Sequence, residues 1–349
     1  MVFASDNWSG ASEKILAAFA EAAACGGPAY GEDALTNAAQ ARFNEVFERE
    51  VAVFFVASGT AANALALSAY ARPGGIIFAH KQAHIAADEA GAVEFFSAGN
   101  RVAALPAIAG KISPDGVADA LGRSSERDVH HGRPIAVSLT QTTEYGAAYS
   151  VDEVSALSDV AKSRGLAVHM DGARFANAVV GLGVAPADLT WRAGVDVLSF
   201  GGTKNGCFAA EAVVFFDPAA ARDFAFARQR AGQGFSKNWF IAAQFDAYLQ
   251  DDHWLGLARH ANRMAGRLAE SIALSGSARL ALRPDGNEVF AVVCKRDDAR
   301  LRALGTVYHP WPTDGFAGLV EIGADECVIR LVTSFQTTAE DVDRFAALL

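Results

Sequence analysis

Cysteine is scarce in this chain, and its few cysteines are far apart. The sequence of 349 residues contains 4 Cys, at Cys25, Cys207, Cys294 and Cys327. There is no C-x-x-C pair and no cluster of histidines at metal-ligand spacing, so the sequence predicts no metal site. We expect reduced thiols, as in cytoplasmic proteins.

Runs of basic residues and long apolar runs are also missing. Lys+Arg 30 against Asp+Glu 40 give a formal net charge of -10. Without a basic stripe to follow a phosphate backbone, nucleic acid is not an expected partner. The N-terminus lacks a basic region followed by an apolar stretch, and no apolar segment reaches the length of a membrane span. These absences predict a cytoplasmic protein without a membrane segment.

Short apolar runs alternate with segments of helical spacing over the first two thirds of the chain. Helical apolar spacing occurs, for example, at residues 61–70 and 151–164. Continuous apolar strands imply burial on both faces, which is typical of a mainly parallel sheet between helices. The predicted strands cover residues 51–57, 75–79, 135–140, 167–170, 195–200 and 212–216.

The pattern changes near residue 237, which predicts a second, smaller α+β domain. At 349 residues the chain exceeds the length at which one core keeps growing. We therefore predict an N-terminal segment 1–14, a large α/β domain 15–240 and a small domain 241–349, with a packed helix at the boundary. The predicted elements of the last part are helices 239–249 and 254–274, strands 289–294, 319–322 and 328–332, and a helix from Thr338.

Lys204 and Asp171 each lie just after a predicted strand. Lys204 belongs to the segment Gly202-Thr203-Lys204-Asn205, and Asp171 to His169-Met170-Asp171-Gly172-Ala173-Arg174. Lysine forms Schiff bases, and bound pyridoxal phosphate typically has an Asp at its ring nitrogen. Each residue alone could equally be a solvated loop lysine or a helix-capping aspartate. Together, at the strand ends where ligands bind in such sheets, they suggest this cofactor.

The segment Ser58-Gly59-Thr60 follows the first long apolar strand and opens a helix. Glycine allows close approach of the backbone, and a helix N-terminus favours an anion such as a phosphate. A plain turn with a capping residue is the alternative. The segment is not the G-x-x-x-x-G-K-[ST] loop of nucleoside triphosphatases, and the chain has no G-x-G-x-x-G after its first strand, which disfavours a dehydrogenase.

Two further residues have both a structural and a functional interpretation. His84 follows the strand that ends near Ala79, and an imidazole there could stack on a cofactor ring or relay a proton. Arg330 lies within a late apolar strand. A cation in such a strand is costly unless paired, so Arg330 binds either a structural carboxylate or a substrate carboxylate.

With these motifs in order, the chain resembles the low-specificity L-threonine aldolases. This group belongs to the threonine aldolase and β-eliminating lyase family, within the fold-type I pyridoxal-phosphate enzymes. The resemblance extends over nearly the whole chain, and His-x-Asp-Gly-Ala-Arg is its most diagnostic motif. The other matching segments are Ser5-Asp6-Asn7, Tyr30-Gly31-Glu32-Asp33, Ser58-Gly59-Thr60-Ala61-Ala62-Asn63, His84, Gly202-Thr203-Lys204-Asn205-Gly206 and Arg330.

The resemblance implies a retro-aldol cleavage of L-threonine, L-allo-threonine or a related β-hydroxy-α-amino acid into glycine and an aldehyde. Lys204 would carry the cofactor as a Schiff base, Asp171 would keep its ring nitrogen protonated, and His84 would stack on the ring. The remaining roles implied are phosphate binding by Ser58, Gly59, Thr60 and Thr203, and substrate carboxylate binding by Ser5, Arg174 and Arg330. Arg174 would also lie near the phenolic oxygen of the cofactor, and Tyr30 and Lys237 would make contacts across a subunit interface. The family further implies a homotetramer, a dimer of dimers with shared active sites.

One segment departs from the commoner family pattern. Many relatives carry Glu-Asn-Thr-His in the loop whose histidine contacts the substrate hydroxyl, whereas this chain reads Gln141-Thr142-Thr143-Glu144. The group that takes the hydroxyl proton is therefore open between Glu144, His84 and water, and Glu144 could also be a solvated loop carboxylate.

Other functions compete with this interpretation. Phenylserine cleavage or another β-elimination on the same fold would be decided by the pocket walls. A noncatalytic binding or regulatory protein would be expected to lack Lys204 or Asp171, and both are present. A DNA-binding regulator would need an added helix-turn-helix segment, for which there is little room before Ser5.

Overall fold

The computed structural model describes residues 1–123 and 129–349. Its helices are α1 Glu13–Cys25, α2 Ala34–Phe47, α3 Gly59–Ser68, α4 His84–Ala87, α5 Ala92–Phe96, α6 Pro114–Gly122, α7 Val151–Lys162, α8 Phe175–Leu182, α9 Phe224–Arg230, α10 Trp239–Leu249, α11 His253–Leu274, α12 Lys295–Ala303 and α13 Ala339–Ala346. Its strands are β1 Ala52–Val56, β2 Gly75–His80, β3 Arg101–Leu105, β4 Ala107–Ile108, β5 Lys111–Ile112, β6 Arg133–Thr140, β7 Ala167–Gly172, β8 Val197–Gly201, β9 Glu211–Phe215, β10 Ala278–Leu282, β11 Glu288–Cys294, β12 His309–Trp311 and β13 Glu326–Val332.

The larger sheet has the strand order β1-β9-β8-β7-β6-β2-β3 among the described residues. The neighbours from β8 through β3 pair in parallel, whereas β9 is antiparallel to both β8 and β1. Strands β2 and β7 to β9 are buried along their full length, as their continuous apolar sequences predict. The prediction of a mainly parallel sheet between helices is confirmed.

A smaller antiparallel sheet has the order β10-β11-β13-β12. Its core contains apolar residues of α11, α12 and α13 together with Phe3. The N-terminal segment runs beside this sheet, because the Phe3 amide donates to Val307 and the Phe3 carbonyl accepts from the Val332 amide. This anchoring brings residues 5–7 to the carboxyl ends of the larger sheet.

One predicted strand is wrong. Residues 319–322 form a turn and irregular backbone, and the edge strand of the smaller sheet is β12 instead. The apolar residues at 319–322 belong to a loop whose Val320 and Ile322 pack on a satellite core, so packing rather than sheet pairing explains the pattern. The proposed division at residue 240 stays a prediction, and α10, which spans it, packs in the main core.

Candidate active site

A cavity of about 260 Å³ lies at the carboxyl ends of the larger sheet's strands. It brings together residues that are far apart in the sequence, as expected for ligand sites in parallel sheets. The predicted site residues that line it are Ser58, Gly59, Thr60, His84, Glu144, Asp171, Arg174, Thr203 and Lys204. Ser5, Tyr30, Lys237 and Arg330 lie outside this lining.

Lys204 is presented by a short 3₁₀ turn, Thr203–Asn205, directly after β8. The Asn205 side chain anchors the turn by donating to the Tyr248 hydroxyl at 2.7 Å and to the Trp254 carbonyl at 2.9 Å. The turn closes at Gly206, whose φ is 106°, and a Cβ there would lie 2.7 Å from Leu257. Only glycine fits this position, so the glycine keeps the lysine turn tightly packed.

Asp171 occupies the same edge, one strand away, near the end of β7. Its Oδ1 accepts from the Ala173 amide at 3.0 Å, and its Oδ2 accepts from the Asn63 side chain at 2.8 Å. A Cβ on the following Gly172 would lie 2.7 Å from the Ser199 carbonyl. The glycine of the His-x-Asp-Gly-Ala-Arg motif is therefore required by the close approach of β7 and β8.

Asn63 connects Asp171 to His84 through Glu89. The Asn63 Nδ2 also donates to Glu89 Oε1 at 2.8 Å, and His84 Nδ1 is 2.8 Å from the same oxygen. The hydrogen bond to Glu89 raises the pKa of His84, and burial raises the pKa of Glu89. The pair thus favours a proton on His84 Nδ1, facing Glu89. Sequence reasoning missed Glu89, whose only signal is its position five residues after His84.

The N-terminus of α3 lies in the cavity wall. Ser58 is the N-cap, and its Oγ accepts from the Ala61 amide at 3.2 Å. The amides of Gly59 and Thr60 begin the helix and so have no carbonyl partner within it. A Cβ built on Gly59 would meet nothing within 4 Å, so the space beside these amides is open. This arrangement can bind an anion.

In the cavity, both oxygens of the Glu144 carboxylate are bound by other residues, so Glu144 is not a solvated loop residue. Its Oε1 accepts from the His84 amide at 2.8 Å, and its Oε2 lies 2.6 Å from His80 Nε2. The Glu144 side chain is 11% exposed and that of His80 is 3% exposed. Sequence reasoning did not single out His80, which is the last residue of β2.

Glu211, the first residue of β9, is a second carboxyl that sequence reasoning missed. It lines the cavity, is buried, and accepts from the Thr203 amide at 3.3 Å. Burial raises its pKa to about 7, although Thr203 and Lys204 oppose the shift. Its place at the edge of an apolar run gave only a weak signal. Burial therefore favours the protonated form of Glu211 more than water would.

Arg174 is paired on both sides within a buried cluster. Its Nε and Nη2 donate to the Asp6 carboxylate at 2.7 and 3.0 Å, and its Nη1 is 3.3 Å from Glu288. Burial alone would lower the pKa of Arg174, but Asp6 and Glu288 outweigh it and raise the pKa. Each Nη carries two hydrogens, so the guanidinium can still donate toward the cavity.

Arg330 extends the same cluster from β13. Its Nη1 is 3.9 Å from Glu288, its Nη2 donates to the Ala4 carbonyl at 3.4 Å, and its guanidinium lies 4.2 Å from the centre of the Trp311 ring. The structure thus gives Arg330 the structural carboxylate that was one of its two predicted interpretations. Ser5 lies beside it and caps the short turn Asp6–Trp8, which brings Asn7 into the cavity lining.

Tyr30 and Lys237 are exposed and lie apart from the cavity. Tyr30 is 62% exposed, has a φ of 62°, and borders a different surface depression that also includes Asn238. Within one subunit the structure does not bring these residues to Lys204. Their predicted role across a subunit interface stays a prediction.

The donor set of the cavity fits pyridoxal phosphate. It offers a primary amine, a carboxylate one strand away, and open amides at a helix N-terminus, which match an aldehyde, a ring nitrogen and a phosphate. Within residues 1–123 and 129–349, no group of three His, Cys, Asp or Glu side chains is arranged to hold a metal ion. In the same part of the chain, no helix is long and apolar enough to cross a membrane.

Comparisons with known proteins agree with this geometry. Residues 3–295 match the beta-eliminating lyase family. The chain is 44% identical over 316 residues to the low specificity L-threonine aldolase of Pseudomonas aeruginosa, covering 90% of each protein. The solved structure of Leishmania major threonine aldolase superposes with a TM-score of 0.91 at 27% identity, covering 99% of this chain and 98% of that one. Aspartate aminotransferase from Thermus thermophilus, at 16% identity and a TM-score of 0.70 over 99% and 90% of the chains, shares the fold.

Proposed function

The chain belongs to the beta-eliminating lyase family, and we propose that it is a pyridoxal-phosphate-dependent aldolase of fold type I. Its substrates are L-threonine, L-allo-threonine and related β-hydroxy-α-amino acids, which it cleaves between Cα and Cβ into glycine and an aldehyde. The observation that carries the proposal is the meeting of Lys204, Asp171 and Glu144 in one cavity. The similarity to a low specificity L-threonine aldolase supports the same reaction.

The proposed roles of the cofactor-binding residues follow from their positions and contacts in the cavity. Pyridoxal phosphate, when bound, supplies a conjugated ring that accepts the electron pair of the broken Cα–Cβ bond. Lys204 would hold the carbonyl carbon of the cofactor, and Asp171 would keep a proton on the ring nitrogen. The Ala173 amide and the Asn63 side chain fix the Asp171 carboxylate for this role. Ser58, Gly59, Thr60 and Thr203 would bind the phosphate.

The substrate is held and deprotonated by residues of other elements. Arg174, supported by Asp6 and Glu288, donates to the substrate carboxylate, with Ser5 and Arg330 beside it. Fixing this carboxylate orients the Cα–Cβ bond relative to the ring, which favours cleavage of that bond alone. Glu144 takes the proton of the β-hydroxyl as the bond breaks, and His84 would pack against the ring of the bound cofactor.

The first experiment measures the absorbance spectrum of the purified protein and then adds L-threonine, L-allo-threonine and phenylserine with aldehyde detection. A visible cofactor band with aldehyde release supports the aldolase and ranks its substrates. A band without aldehyde would move the reaction to another lyase chemistry. No band in protein saturated with pyridoxal phosphate would overturn the proposal.

Replacing the lysine tests the covalent attachment directly. Lys204→Ala should lose the adduct that borohydride fixes to the protein, detected as a mass increase at the lysine peptide. Lys14→Ala, on helix α1 and away from the cavity, is the matched control and should keep the adduct. An adduct retained in Lys204→Ala would refute the assignment.

We further propose that the protein is a cytoplasmic homotetramer with shared active sites, to which Tyr30 and Lys237 contribute across an interface. The exposure of both residues supports this arrangement. All four cysteines are free, which suits a reducing compartment. Light scattering of the purified protein measures the assembly state.

A further inference from the structure

The loop that carries Glu144 is held rigidly. The Gln141 side chain donates to the Tyr149 carbonyl at 2.8 Å and accepts from the Tyr149 amide at 2.9 Å. Within the loop, the Thr143 amide donates to the Ala147 carbonyl at 2.8 Å, and the Thr143 hydroxyl donates to the Ala109 carbonyl at 2.8 Å. Because the backbone is fixed at both ends, the direction of the Glu144 side chain depends on what holds its carboxylate.

His80 contacts the Glu144 carboxylate from the end of strand β2. It ends β2, so its backbone belongs to the parallel sheet, and its side chain is buried. The Gln82 amide donates to His80 Nδ1 at 3.2 Å. A ring nitrogen that accepts a hydrogen bond carries no proton, so the proton of a neutral imidazole must be on Nε2. Nε2–H then donates to Glu144 Oε2 at 2.6 Å.

We infer that His80 is a positioning residue for the proposed aldol cleavage, which holds the Glu144 carboxylate in place and aims it at the β-hydroxyl of the substrate. The inference rests on the proposed function. One oxygen of Glu144 accepts from the His84 amide and the other from His80. With both oxygens bound, the direction of the carboxylate is fixed by residues of two other elements, the end of β2 and the start of α4.

Several other charged and titratable groups lie around the His80–Glu144 pair. Arg174 faces Glu144 from the end of β7, and His84 faces it from α4. Tyr145 and Tyr149 lie on the same loop, and burial raises the pKa of both. Asp314 contacts the Tyr145 hydroxyl at 3.4 Å, and Lys81 lies 3.6 Å from Asp314. None of these replaces the donor that His80 gives to Glu144 Oε2.

The test compares three substitutions of His80 in the enzyme loaded with pyridoxal phosphate. His80→Leu and the shorter His80→Asn remove the donor, whereas His80→Gln keeps an N–H at similar reach. We expect kcat for L-threonine to fall about 10- to 100-fold in the first two, the range of a lost hydrogen bond to a charged group. KM, the cofactor absorbance and the melting temperature should change little, and His80→Gln should restore most of kcat. His80→Asn carries the test if His80→Leu does not fold.

A double substitution separates positioning from a structural effect. In a Glu144→Gln background the His80 substitution should cost almost nothing further, since its effect acts through Glu144. His260→Leu, which removes a histidine bound to the Thr337 carbonyl, is the matched control and should leave kcat unchanged.

Several outcomes would overturn the inference. Unchanged kcat in His80→Asn would do so, and so would full additivity with Glu144→Gln. A rise in KM together with a loss of cofactor binding and of stability would assign His80 to the fold instead. Failure of the proposed function is distinguishable, because the unmodified enzyme would then release no aldehyde from any of the three substrates.

Discussion

Glu211 is an acidic residue buried beside Lys204, and its protonation links the cavity to stability. Its neighbours are the Thr203 amide, the Lys204 amine and, farther away, Asp171. Burial raises its pKa from 4.5 to about 7, so the folded protein binds a proton that the unfolded chain releases above pH 4.5. Stability from this group is therefore fully present below pH 4.5 and is lost as the pH rises to about 7.

This direction of the pH dependence gives a prediction for Glu211→Gln in protein stripped of cofactor. A pKa shift of this size corresponds to roughly 3 kcal/mol of unfolding free energy. The wild type should lose about that much, relative to Glu211→Gln, between acidic and slightly alkaline pH. Urea unfolding at both pH values measures it, with the exposed Glu50→Gln as the control. A constant difference between wild type and Glu211→Gln at the two pH values would contradict the shift.

At the scale of elements, the end of helix α3 combines a structural and a binding role. Ser58 caps α3 and lines the cavity, whereas Ser150 caps α7 in the same way through the Glu153 amide, away from the cavity. Ser58→Ala and Ser150→Ala should each cost about 1 kcal/mol of unfolding free energy. Only Ser58→Ala should weaken cofactor binding, by about tenfold or more, because it removes a donor to a charged phosphate.

Titration of the stripped protein with pyridoxal phosphate, followed by absorbance, measures the affinity of both variants. Urea unfolding of the same samples measures the loss of the cap. If the two variants bind the cofactor equally well, the Ser58 hydroxyl does not contact the phosphate.

The elements that could be predicted from the sequence are those with a continuous apolar pattern. Strands β7 and β8 are buried on both faces, so their sequences predicted them and placed Asp171 and Lys204 at one edge. Strand β3 was not predicted, because it lies at the edge of the sheet and its residues are largely half-buried or exposed. Residues 319–322 were predicted as a strand because they are mainly apolar. In the structure they form a turn and loop, and Val320 and Ile322 pack on a satellite core.

The contacts between elements could not be predicted in the same way. Asn63 binds both Asp171 and Glu89, and His80 binds Glu144 across 64 positions of sequence. Such contacts depend on which strands are neighbours, and no local sequence pattern determines the strand order. The sequence therefore predicted the groups that line the cavity better than the groups that hold them.

At the scale of the molecule, the site joins three parts of the chain. Asp6 of the N-terminal segment, Arg174 after β7 and Glu288 of β11 form one buried cluster, to which Asn287 adds a hydrogen bond to Asp6 at 3.0 Å. The smaller sheet and the N-terminal segment thus help to orient Arg174. If Arg174 binds the substrate carboxylate as proposed, a change in how these parts pack should alter substrate binding before it alters cofactor binding.

If active sites are shared between subunits, mixing two inactive variants should restore activity. A site built within a single subunit would not give this result. If Lys237 serves the site of its partner, Lys204→Ala and Lys237→Ala should each be nearly inactive alone. In a mixed dimer, one site carries both substitutions and the other carries neither. Random mixing should therefore restore on the order of a quarter of the wild-type activity.

Coexpression of the two variants with different affinity tags, followed by purification through both tags, isolates the mixed assemblies. Activity well above the sum of the separate variants, in proportion to the mixed fraction, is the expected result. Full activity of Lys237→Ala alone would remove Lys237 from the site. Inactive mixed assemblies would mean that Lys204 and Lys237 act in the same subunit, which the exposed position of Lys237 away from the cavity makes physically difficult. The mixing experiment thus decides whether one folded chain contains a complete site.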